Sequence, residues 1–303
     1  MAKTLVIVNP IAGRGYGERG EERVKSTLRA KGVDFDVAHT ERPMHAADLA
    51  EEGLKNGYQT IVAVGGDGTS NEVINGMMRC RHPGETVGTM AAIPIGSGND
   101  FAWGAGIPLD LEAACDAVAQ GRSRVIDVGV VDGRYFGNGV GVGFDGMVTI
   151  LAQKIRFLTG LPLYLVAVLQ TTFIYFKAPL ITMQYDEQTI TAKLLMISIA
   201  NGRRYGGGFL VTPEAQMDDG LFDLCIAREV SQFNILRLIP HFIKGTHTTQ
   251  PNVTMARARR VVLTTDAPQG MCAHADGEVC ATDAKRMELE IIPQALRVVV
   301  GEW

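Results

Sequence analysis

The spacing of apolar residues divides the chain into two parts of different texture, with the change near residue 130. In the first part, apolar runs such as Leu5–Val8 and Ile61–Val64 are typical of strands that are covered on both faces. Helical stretches alternate with these runs. The clearest one has apolar residues at i, i+3, i+4 and i+7, namely Leu111, Ala114, Cys115 and Val118. This alternation predicts a parallel sheet with helices on both faces.

The same spacing assigns the individual elements. In the first part the predicted strands are residues 5–8, 35–40, 61–64 and 87–93, and helices are predicted over about 18–31, 46–54 and 111–118 and directly after Gly68. In the second part the predicted strands are 125–131, 135–142, 181–186, 190–200, 222–227, 260–265, 287–292 and 296–300. Helices are predicted there over residues 146–158, 163–176 and 232–244.

A run of strands with a few helical insertions is typical of an antiparallel sandwich. We therefore predict the fold class α/β plus β. An N-terminal α/β domain with a doubly wound parallel sheet occupies residues 1–130, and a β-sandwich domain occupies residues 131–303. The last residues of the chain are expected to pack back on the first domain.

Composition narrows the class of protein. The chain has 303 residues, 46% of them apolar, so it can bury a sizeable core and form two domains. Its net charge of -4 argues against a nucleic-acid partner, because no excess of Lys and Arg can neutralise phosphates. The five cysteines form no CxxC pair, which indicates reduced thiols in a cytoplasmic protein.

No segment has the features of a signal peptide or of a membrane-spanning helix. Met1–Lys3 leads straight into the first strand, which leaves no room for a signal peptide. The apolar stretch 161–176 is interrupted by Pro162 and Gln170 and is too short to cross a bilayer. We expect a soluble protein that contacts the membrane peripherally, and an exposed sheet edge could support a homodimer.

The chemistry begins with the loop Gly65-Gly66-Asp67-Gly68 after the third predicted strand. Its glycines permit close backbone approach, which an anionic ligand at a helix N-terminus exploits. Thr69, Ser70 or Asn71 is expected to cap the helix, with Glu72 in its first turn.

A second loop, Pro94–Ala102, offers two glycines and Ser97 as donors for phosphate oxygens. It ends at Asp100, an acid at an expected helix start. Further along, Asp127 lies inside an apolar strand, where a carboxylate has to be paired or hydrogen-bonded.

Two segments read as turns on their residues alone. These are Gln216–Asp223, with its Asp-Asp-Gly, and Asp276-Gly277, which is a hairpin signal. The six histidines show no metal-ligand spacing.

A rival interpretation comes from Gly15–Gly20, which matches the G-x-G-x-x-G fingerprint of dinucleotide-binding proteins, with Asp36 further on. Against it, Pro10 and other residues separate the first strand from the first glycine. A Walker A lysine motif is absent, which excludes a P-loop kinase.

The ordered set of these blocks resembles the diacylglycerol kinase catalytic-domain family. That family includes bacterial lipid kinases and sphingosine kinases and is more distantly related to NAD kinases. The resemblance rests on five blocks: Asn9-Pro10, Gly65–Glu72, Gly96–Ala102, Gln216–Asp223 and Ala275–Glu278.

The resemblance implies ATP and Mg²⁺ as cofactors. It implies nucleotide and phosphate contacts for Asn9, Thr40, Gly65, Gly66, Gly68, Thr69, Glu72 and Ser97, and a water-bridged magnesium network for Asp67, Asp100 and Asp127. It also implies a structural Mg²⁺ bound by Asp219 and the carbonyls of Gln216 and Leu221, since Mg²⁺ prefers oxygen ligands. Glu278 is implied as the general base, oriented with Asp276 towards the acceptor hydroxyl.

The function implied is transfer of the γ-phosphoryl group of ATP to a lipid hydroxyl at a membrane surface, with a diacylglycerol-like acceptor. An NAD kinase and a Rossmann NAD(P)-dependent oxidoreductase are the alternatives. A binding protein without turnover is a third, against which intact Asp67 and Glu278 argue. The apolar stretch Leu158–Phe176 is expected to be a wall for acyl chains, part of a membrane-facing surface, or a core helix.

Overall fold

The structure is a computed structural model that describes residues 3–155, 158–175 and 178–302; the side chains of residues 14–19, 174 and 175 are not among the described parts. Predictions that involve Met1, Ala2, residues 156–157, Phe176 and Trp303 lie outside the described residues. By its internal contacts the chain divides into two compact units. Unit 1 is Met1–Val128 with Ile292–Trp303, and unit 2 is Gly129–Ile291.

Unit 1 alternates strands and helices, as the apolar spacing predicts. In chain order its elements are β1 (Thr4–Val8), α1 (Ala12–Ala30), β2 (Phe35–His39), α2 (His45–Lys55), β3 (Thr60–Gly65), α3 (Asp67–Arg79), β4 (Val87–Pro94), α4 (Asp100–Ala105) and α5 (Leu111–Gln120). The next strand, β5 (Ser123–Val131), continues into unit 2.

The strands of unit 1 form a parallel sheet in which β1 lies between β2 and β3, and β4 lies beyond β3. Leu296–Val298, from the last strand of the chain, pairs parallel to β4 on its other side. From β1 the chain therefore goes first to β2 on one side and then crosses to β3 on the other. Such a reversal of strand order leaves a crevice at the carboxyl ends of β1 and β3, where α/β proteins bind ligands.

Helices cover both faces of this sheet because its strands are apolar on both. Val6 and Val8 pack with Val24 and Leu28 of α1 and with residues of α5. On the other face Leu5 approaches α2, where a Cβ on Gly53 would lie 2.7 Å from its Cδ2 atom. The sheet is thus dry on both sides, as the unbroken apolar runs of β1 and β3 require.

Unit 2 is dominated by strands. Its elements are β6 (Arg134–Phe136), β7 (Gly139–Gly143), α6 (Phe144–Ala152), α7 (Gly160–Gln170), a π-helical turn (Thr171–Tyr175), β8 (Leu180–Tyr185), β9 (Gln188–Ala200), β10 (Phe222–Arg228), α8 (Gln232–Lys244), a 3₁₀ turn (His247–Thr249), β11 (Val253–Ala258), β12 (Arg260–Thr264), β13 (Met271–Ala275), β14 (Glu278–Ala284) and β15 (Arg286–Val299). The last of these runs on into unit 1.

The long strand β9 belongs to both layers of the sandwich. Its first half, Gln188–Lys193, pairs antiparallel with β8, which continues through β12 to β15. Its second half, Met196–Ala200, pairs with β7 and β10, in the layer that also holds β11, β13 and β14. Inward side chains of the two layers form one core, in which Phe136 stacks on Phe222 with ring centroids 5.6 Å apart.

Three helices cover the outer face of the second layer. Residues of β9 and β10 such as Leu195 and Ala227 pack against Ile235 and Leu238 of α8. Helices α6 and α7 pack on each other through Val148, Leu151 and Val168, among other residues. This outer face is where the pocket described below lies.

The fold class predicted from the sequence is confirmed, and the differences are local. The stretch 135–142 is two strands rather than one, and 287–300 is one strand rather than two. The helix predicted over 146–158 is shorter and begins earlier, at Phe144. The apolar spacing does not predict strands β11, β13 and β14. They contain several Ala residues, with Asp and Glu in β14, which are depleted in strands, and their apolar and polar residues do not alternate clearly.

One local expectation in unit 1 is wrong, and the rival dinucleotide interpretation is disfavoured. The helix after the glycine loop begins at Asp67 with Gly66 as its N-cap and no side-chain cap, so Thr69, Ser70 and Asn71 all lie inside it. The fingerprint glycines 15–20 lie within α1 rather than in a turn after a strand, which removes the phosphate loop that a dinucleotide site requires. None of the helices in the described part of the chain is both long and apolar enough to cross a bilayer.

The packing of α2 on α3 depends on a glycine, which gives a stability prediction. A Cβ on Gly76 would lie 2.0 Å from the carbonyl oxygen of Ala47, a backbone atom that cannot rotate away. We expect Gly76→Ala to lower the free energy of unfolding by about 3 kcal/mol, the upper end of overpacking costs. Urea unfolding measures this change. The control, exposed Glu52→Ala on α2, should stay within about 0.5 kcal/mol of wild type. A fully stable Gly76→Ala variant would contradict the packing.

Candidate functional site

The two glycine loops of unit 1 pack backbone against backbone. A Cβ on Gly96 would lie 2.5 Å from the Cα atom of Gly66, so position 96 has no room for a side chain, and a Cβ on Gly66 would lie a tight 3.1 Å from the Cα atom of Gly96. Gly65 is equally restricted, since its Cβ would lie 2.2 Å from the hydroxyl oxygen of Thr69. Ile95 donates its N–H to the carbonyl of Gly65 at 2.9 Å, which continues the pairing of β3 and β4 into the loops.

Asn99 holds the second loop in shape. Its backbone is left-handed, with φ of 53°, a conformation that Asn tolerates. Its side-chain amide accepts the N–H of Gly96 at 3.0 Å and donates to the carbonyl of the same residue at 2.9 Å. The loop is thereby closed on itself, and Ser97 at its tip is exposed.

Two predicted acids meet beside this loop. Asp67 accepts the N–H of Phe101 at 3.0 Å, which satisfies one free donor at the start of α4. Asp100, the first residue of α4, is 5% exposed. A Cβ on Gly98 would lie 2.9 Å from one oxygen of Asp67 and 3.5 Å from one of Asp100, so both carboxylates face the space that the glycine leaves open.

Asn9 bridges the crevice between β1 and β3. Its backbone N–H donates to Val64 at 3.0 Å, and its side-chain amide donates to the hydroxyl of Thr69 at 3.0 Å. Thr40 follows β2, where its N–H donates to the carbonyl of Val8 at 3.0 Å. Asn9, Thr40 and the glycine loops therefore all lie at the carboxyl edge of the parallel sheet.

Two other predicted site residues have structural contacts of their own. Both oxygens of Glu72 accept backbone N–H groups at the start of α2, from Met44 at 2.9 Å and Ala46 at 3.1 Å. Asp127 is fully buried and accepts the N–H of Gln294 at 2.7 Å, which holds the end of the chain in unit 1. Their parts in binding a nucleotide or Mg²⁺ stay predictions.

In unit 2 the predicted magnesium loop is an Asx turn. Asp219 accepts the N–H of Leu221 at 3.0 Å, and its other oxygen lies 3.7 Å from Arg257. Arg257 also binds Asp223 at 3.2 Å, and burial raises the pKa of the Asp223 carboxyl. One oxygen of Asp223 is buried and has no hydrogen-bond partner in the described residues. An oxygen-rich loop with surplus negative charge fits a hard cation such as Mg²⁺.

No three His, Cys, Asp or Glu side chains within residues 3–155, 158–175 and 178–302 are grouped closely enough to hold a metal ion. The three predicted acids Asp67, Asp100 and Asp127 therefore do not form a direct metal centre among themselves. The predicted magnesium site in the Gln216–Leu221 loop is of another kind, because it uses only one carboxylate, that of Asp219, together with two backbone carbonyls.

The fourth predicted block is a tight hairpin. Asp276 and Gly277, with φ of 49° and 83°, join β13 to β14, and Glu278 is the first residue of β14. The carboxylate of Asp276 accepts three backbone N–H groups, from Gly137, Asn138 and Gly139, at 2.8, 3.0 and 2.8 Å. The turn is therefore fixed to the segment before β7, whereas Glu278 is exposed.

Sequence reasoning missed an apolar pocket in unit 2, on the outer face of the second layer. It encloses about 670 Å³ of empty space, including its open mouth. It is lined by Phe144, Asp145, Val148, Tyr164, Val168, Leu195, Met196, Tyr205, Gly206, Phe209, Val211, Ala227, Ile235, Leu238, Ile239 and Phe242. The predicted apolar stretch contributes two of these residues through α7, Tyr164 and Val168.

Asp145 is the one charged residue in that lining, and it marks a polar end of the pocket. Tyr205 lies there too and donates its hydroxyl to Ser198. Burial raises the pKa of Tyr205 well above its usual value, and the nearby Asp145 carboxylate adds to the rise. His274, 2% exposed, lies 3.3 Å from Asp145 and edge-on to Tyr205. No motif in the sequence indicates this group, because its members come from four separate segments.

Comparison with known proteins agrees with the blocks in both units. A family model described as "Diacylglycerol kinase catalytic domain" matches residues 3–131. A second, described as "YegS C-terminal NAD kinase beta sandwich-like domain", matches residues 138–300. The two matches together cover nearly all of the chain.

Individual relatives match over nearly their full length. A diacylglycerol kinase of Mycobacterium tuberculosis is 30% identical over 311 aligned residues, which cover 99% of this chain and 95% of that protein. A Pseudomonas aeruginosa protein named "Probable lipid kinase YegS-like" is 32% identical over 285 residues, or 93% and 90% of the two chains. The crystal structure of a diacylglycerol kinase from Bacillus anthracis has a TM-score of 0.75 and 21% identity, with 99% and 97% covered, a likeness in fold. This chain therefore belongs to the diacylglycerol kinase family.

Proposed function

We propose that this protein is an ATP-dependent lipid kinase that transfers the γ-phosphoryl group of ATP to the hydroxyl of a diacylglycerol-like lipid. The observation that carries the proposal is the pair of glycine loops packed at the switch point of the parallel sheet, with Asp67 and Asp100 facing the gap at Gly98. A site of this form offers backbone donors and two carboxylates to a magnesium-bound polyphosphate.

The phosphates of ATP are assigned to unit 1. Backbone N–H groups of the loops Gly65–Thr69 and Gly96–Gly98 hold the phosphate oxygens, and the exposed hydroxyl of Ser97 adds a donor. Asp67 and Asp100 would hold Mg²⁺, with Asp127 as a third predicted partner. When bound, Mg²⁺ supplies positive charge that offsets the phosphate charge. Phosphoryl transfer has a loose transition state, so positioning and charge neutralisation are the protein's main contribution.

The acceptor lipid is assigned to the apolar pocket of unit 2. Nearly all its lining side chains are apolar, which suits an acyl chain, and a few polar groups in an apolar cleft are typical of small-molecule sites. Asp145 and Tyr205, at the polar end, are suited to orient the glycerol part of the lipid. Glu278 takes the proton of the attacking hydroxyl, while the fixed carboxylate of Asp276 sets the position of the turn before it.

An NAD kinase is the second candidate, because it shares the glycine-loop chemistry and the matching model of unit 2 carries that name. The apolar pocket favours a lipid over a soluble dinucleotide. An acyl chain can fill an apolar lining, whereas the phosphates and riboses of a dinucleotide need polar partners. A Rossmann oxidoreductase is disfavoured by the location of the fingerprint glycines inside α1.

The roles of Asp67 and Glu278 are tested by variants that keep their shape. Asp67→Asn retains an oxygen for the N–H of Phe101 and removes the charge, so kcat should fall at least about 100-fold while the melting temperature is kept. Glu278→Gln should lower kcat about 10²- to 10⁴-fold with little change in the KM for ATP. Both are measured as phosphate transfer from labelled ATP to micellar lipid.

Matched controls carry the same chemical change elsewhere. Asp110→Asn keeps the N-cap of α5, to which Ala113 donates at 3.0 Å, and should retain wild-type activity. Glu290→Gln, at an exposed position of β15, should do the same. Full activity of Asp67→Asn would contradict the role of Asp67 in holding Mg²⁺ and the phosphates. Full activity of Glu278→Gln would contradict the role of Glu278 as general base.

The magnesium loop gives a prediction independent of catalysis. A ligand that binds only the folded state at about 100 times its Kd stabilises it by about 2.7 kcal/mol, so MgCl₂ should raise the melting temperature by several degrees relative to EDTA. In Asp219→Asn, which can keep the Asx turn, that rise should be lost. Exposed Asp266→Asn is the control and should show the wild-type rise. An equal rise in melting temperature in all three proteins would mean that the loop is an ordinary turn without a Mg²⁺ site.

Contact with the membrane is assigned to the end of α7, the π-helical turn that follows it, and the start of α8. Gln232 donates to the carbonyl of Thr172 at 3.0 Å, so the start of α8 lies beside the π-helical turn. Near this junction Phe233 is 76% exposed, Phe173 56% and Leu169 43%. Residues 160–175 carry no charge, and α8 has Arg237 and Lys244 but no acid, a combination that suits an anionic bilayer surface.

The double variant Phe173→Ser with Phe233→Ser should reduce binding to anionic phosphatidylglycerol vesicles at least about 10-fold, because each buried Phe contributes roughly 1.5–3 kcal/mol. Co-sedimentation measures the bound fraction. Leu180→Ser removes an equally exposed side chain from β8 and should leave binding unchanged. Equal losses in both variants, or in neither, would contradict a membrane contact at this surface.

A further inference from the structure

His274 is a buried histidine whose ring faces the turn that precedes Glu278. It lies on β13 with 2% of its surface exposed. Its Nδ1 atom accepts the backbone N–H of Gly277 at 3.3 Å, across the hairpin turn. The turn is therefore held from two directions, by this ring on one side and by the three N–H groups that Asp276 accepts on the other.

The hydrogen bond at Nδ1 determines where the ring carries its proton. An imidazole nitrogen that accepts a hydrogen bond has no proton, so the neutral ring carries its proton on Nε2. Nε2 lies 3.3 Å from Oδ2 of Asp145; neither atom makes a hydrogen bond within the described residues, and the negative charge of the nearby carboxylate favours a proton on Nε2. Asp145 therefore orients the ring for its contact with Gly277.

The residues packed around the His274 ring restrict its orientation. A Cβ on Gly141 would lie 2.4 Å from Nε2 of His274 and 2.1 Å from Oδ2 of Asp145, so both atoms rest directly on the backbone of β7. The ring of Tyr205 packs edge-on at 5.5 Å between centroids. A group so enclosed cannot rotate freely, and this suits it to fix a neighbouring turn.

From this geometry we infer that His274 is a positioning residue, oriented by Asp145, which fixes the Asp276-Gly277 turn and thereby the carboxylate of Glu278. The inference rests on the proposed function, in which Glu278 is the base. It also links the two ends of the acceptor site, because Asp145 lines the apolar pocket and His274 contacts the turn. Motion of a reacting group by about 1 Å can cost about 100-fold in rate, so such a contact has catalytic weight.

Three substitutions separate the two contacts of the ring. His274→Asn places an amide oxygen near the position of Nδ1 and keeps the bond to Gly277. His274→Gln places its amide near Nε2 and keeps only the contact with Asp145, and His274→Leu keeps neither. We expect kcat to fall about 10- to 100-fold in the Gln and Leu variants, and to stay within about 3-fold of wild type in the Asn variant. The KM for ATP should stay unchanged in all three.

The control is His82→Leu, an exposed position in unit 1, which should leave kcat unchanged. A purely structural role would lower thermal stability and activity together in all three His274 variants, without rescue by Asn. Wild-type kcat in the Leu variant, or rescue by Gln instead of Asn, would overturn the inference.

A second measurement does not depend on turnover. In ¹⁵N-labelled protein the His274 ring should show the Nε2–H tautomer, and amide exchange at Gly277 should be at least about 10-fold faster in His274→Leu than in wild type or His274→Asn. An Nδ1–H tautomer, or equal exchange rates, would overturn the positioning contact. If the tautomer and the exchange rates are as expected but wild type phosphorylates no lipid, the proposed function fails and the contact stands.

Discussion

The packing of Gly66 against Gly96 is the constraint on which the candidate site of unit 1 depends. With 2.5 Å between the Cα atom of one and a Cβ on the other, the two loops can meet only as bare backbone. That contact places Asp67 where it reaches the N-terminus of α4 and places Asp100 on the other side of Gly98. A side chain at Gly96 would separate the loops, and one at Gly98 would enter the space that the two carboxylates face.

Unit 2 uses a different device to the same end. There the hairpin Asp276-Gly277 is fixed by one buried carboxylate with three N–H donors and by one buried imidazole, so Glu278 follows from a turn that has little freedom. Buried polar contacts thus hold an exposed carboxylate in place. This arrangement is expected when the position of the Glu278 carboxylate matters more than its pKa. The adjoining pocket is apolar except at the end where Asp145 lies.

Much of the fold and of the candidate site could be predicted from the sequence. The remaining features could not, for physical reasons. The parallel sheet and both glycine loops follow from local apolar runs and glycine spacing. The helix cap does not, because α3 begins at Asp67 with Gly66 as its N-cap, so the polar residues after Gly68 lie inside the helix. Glu72 supports α2 through a contact over 28 residues of sequence, and no local pattern reports such a contact. His274 and Asp145 come together only through strand pairing, so they have no motif.

The most direct test of the central claim is transfer of labelled phosphate from ATP, with Mg²⁺, to a panel of micellar lipids that offer a hydroxyl, with NAD as a soluble acceptor in the same assay. A lipid kinase labels a lipid, with a diacylglycerol favoured, and leaves NAD unlabelled. Label on NAD would contradict the account and move the protein to the soluble branch of its superfamily. A complete lack of label on every lipid, in protein that binds ATP, would contradict it as well.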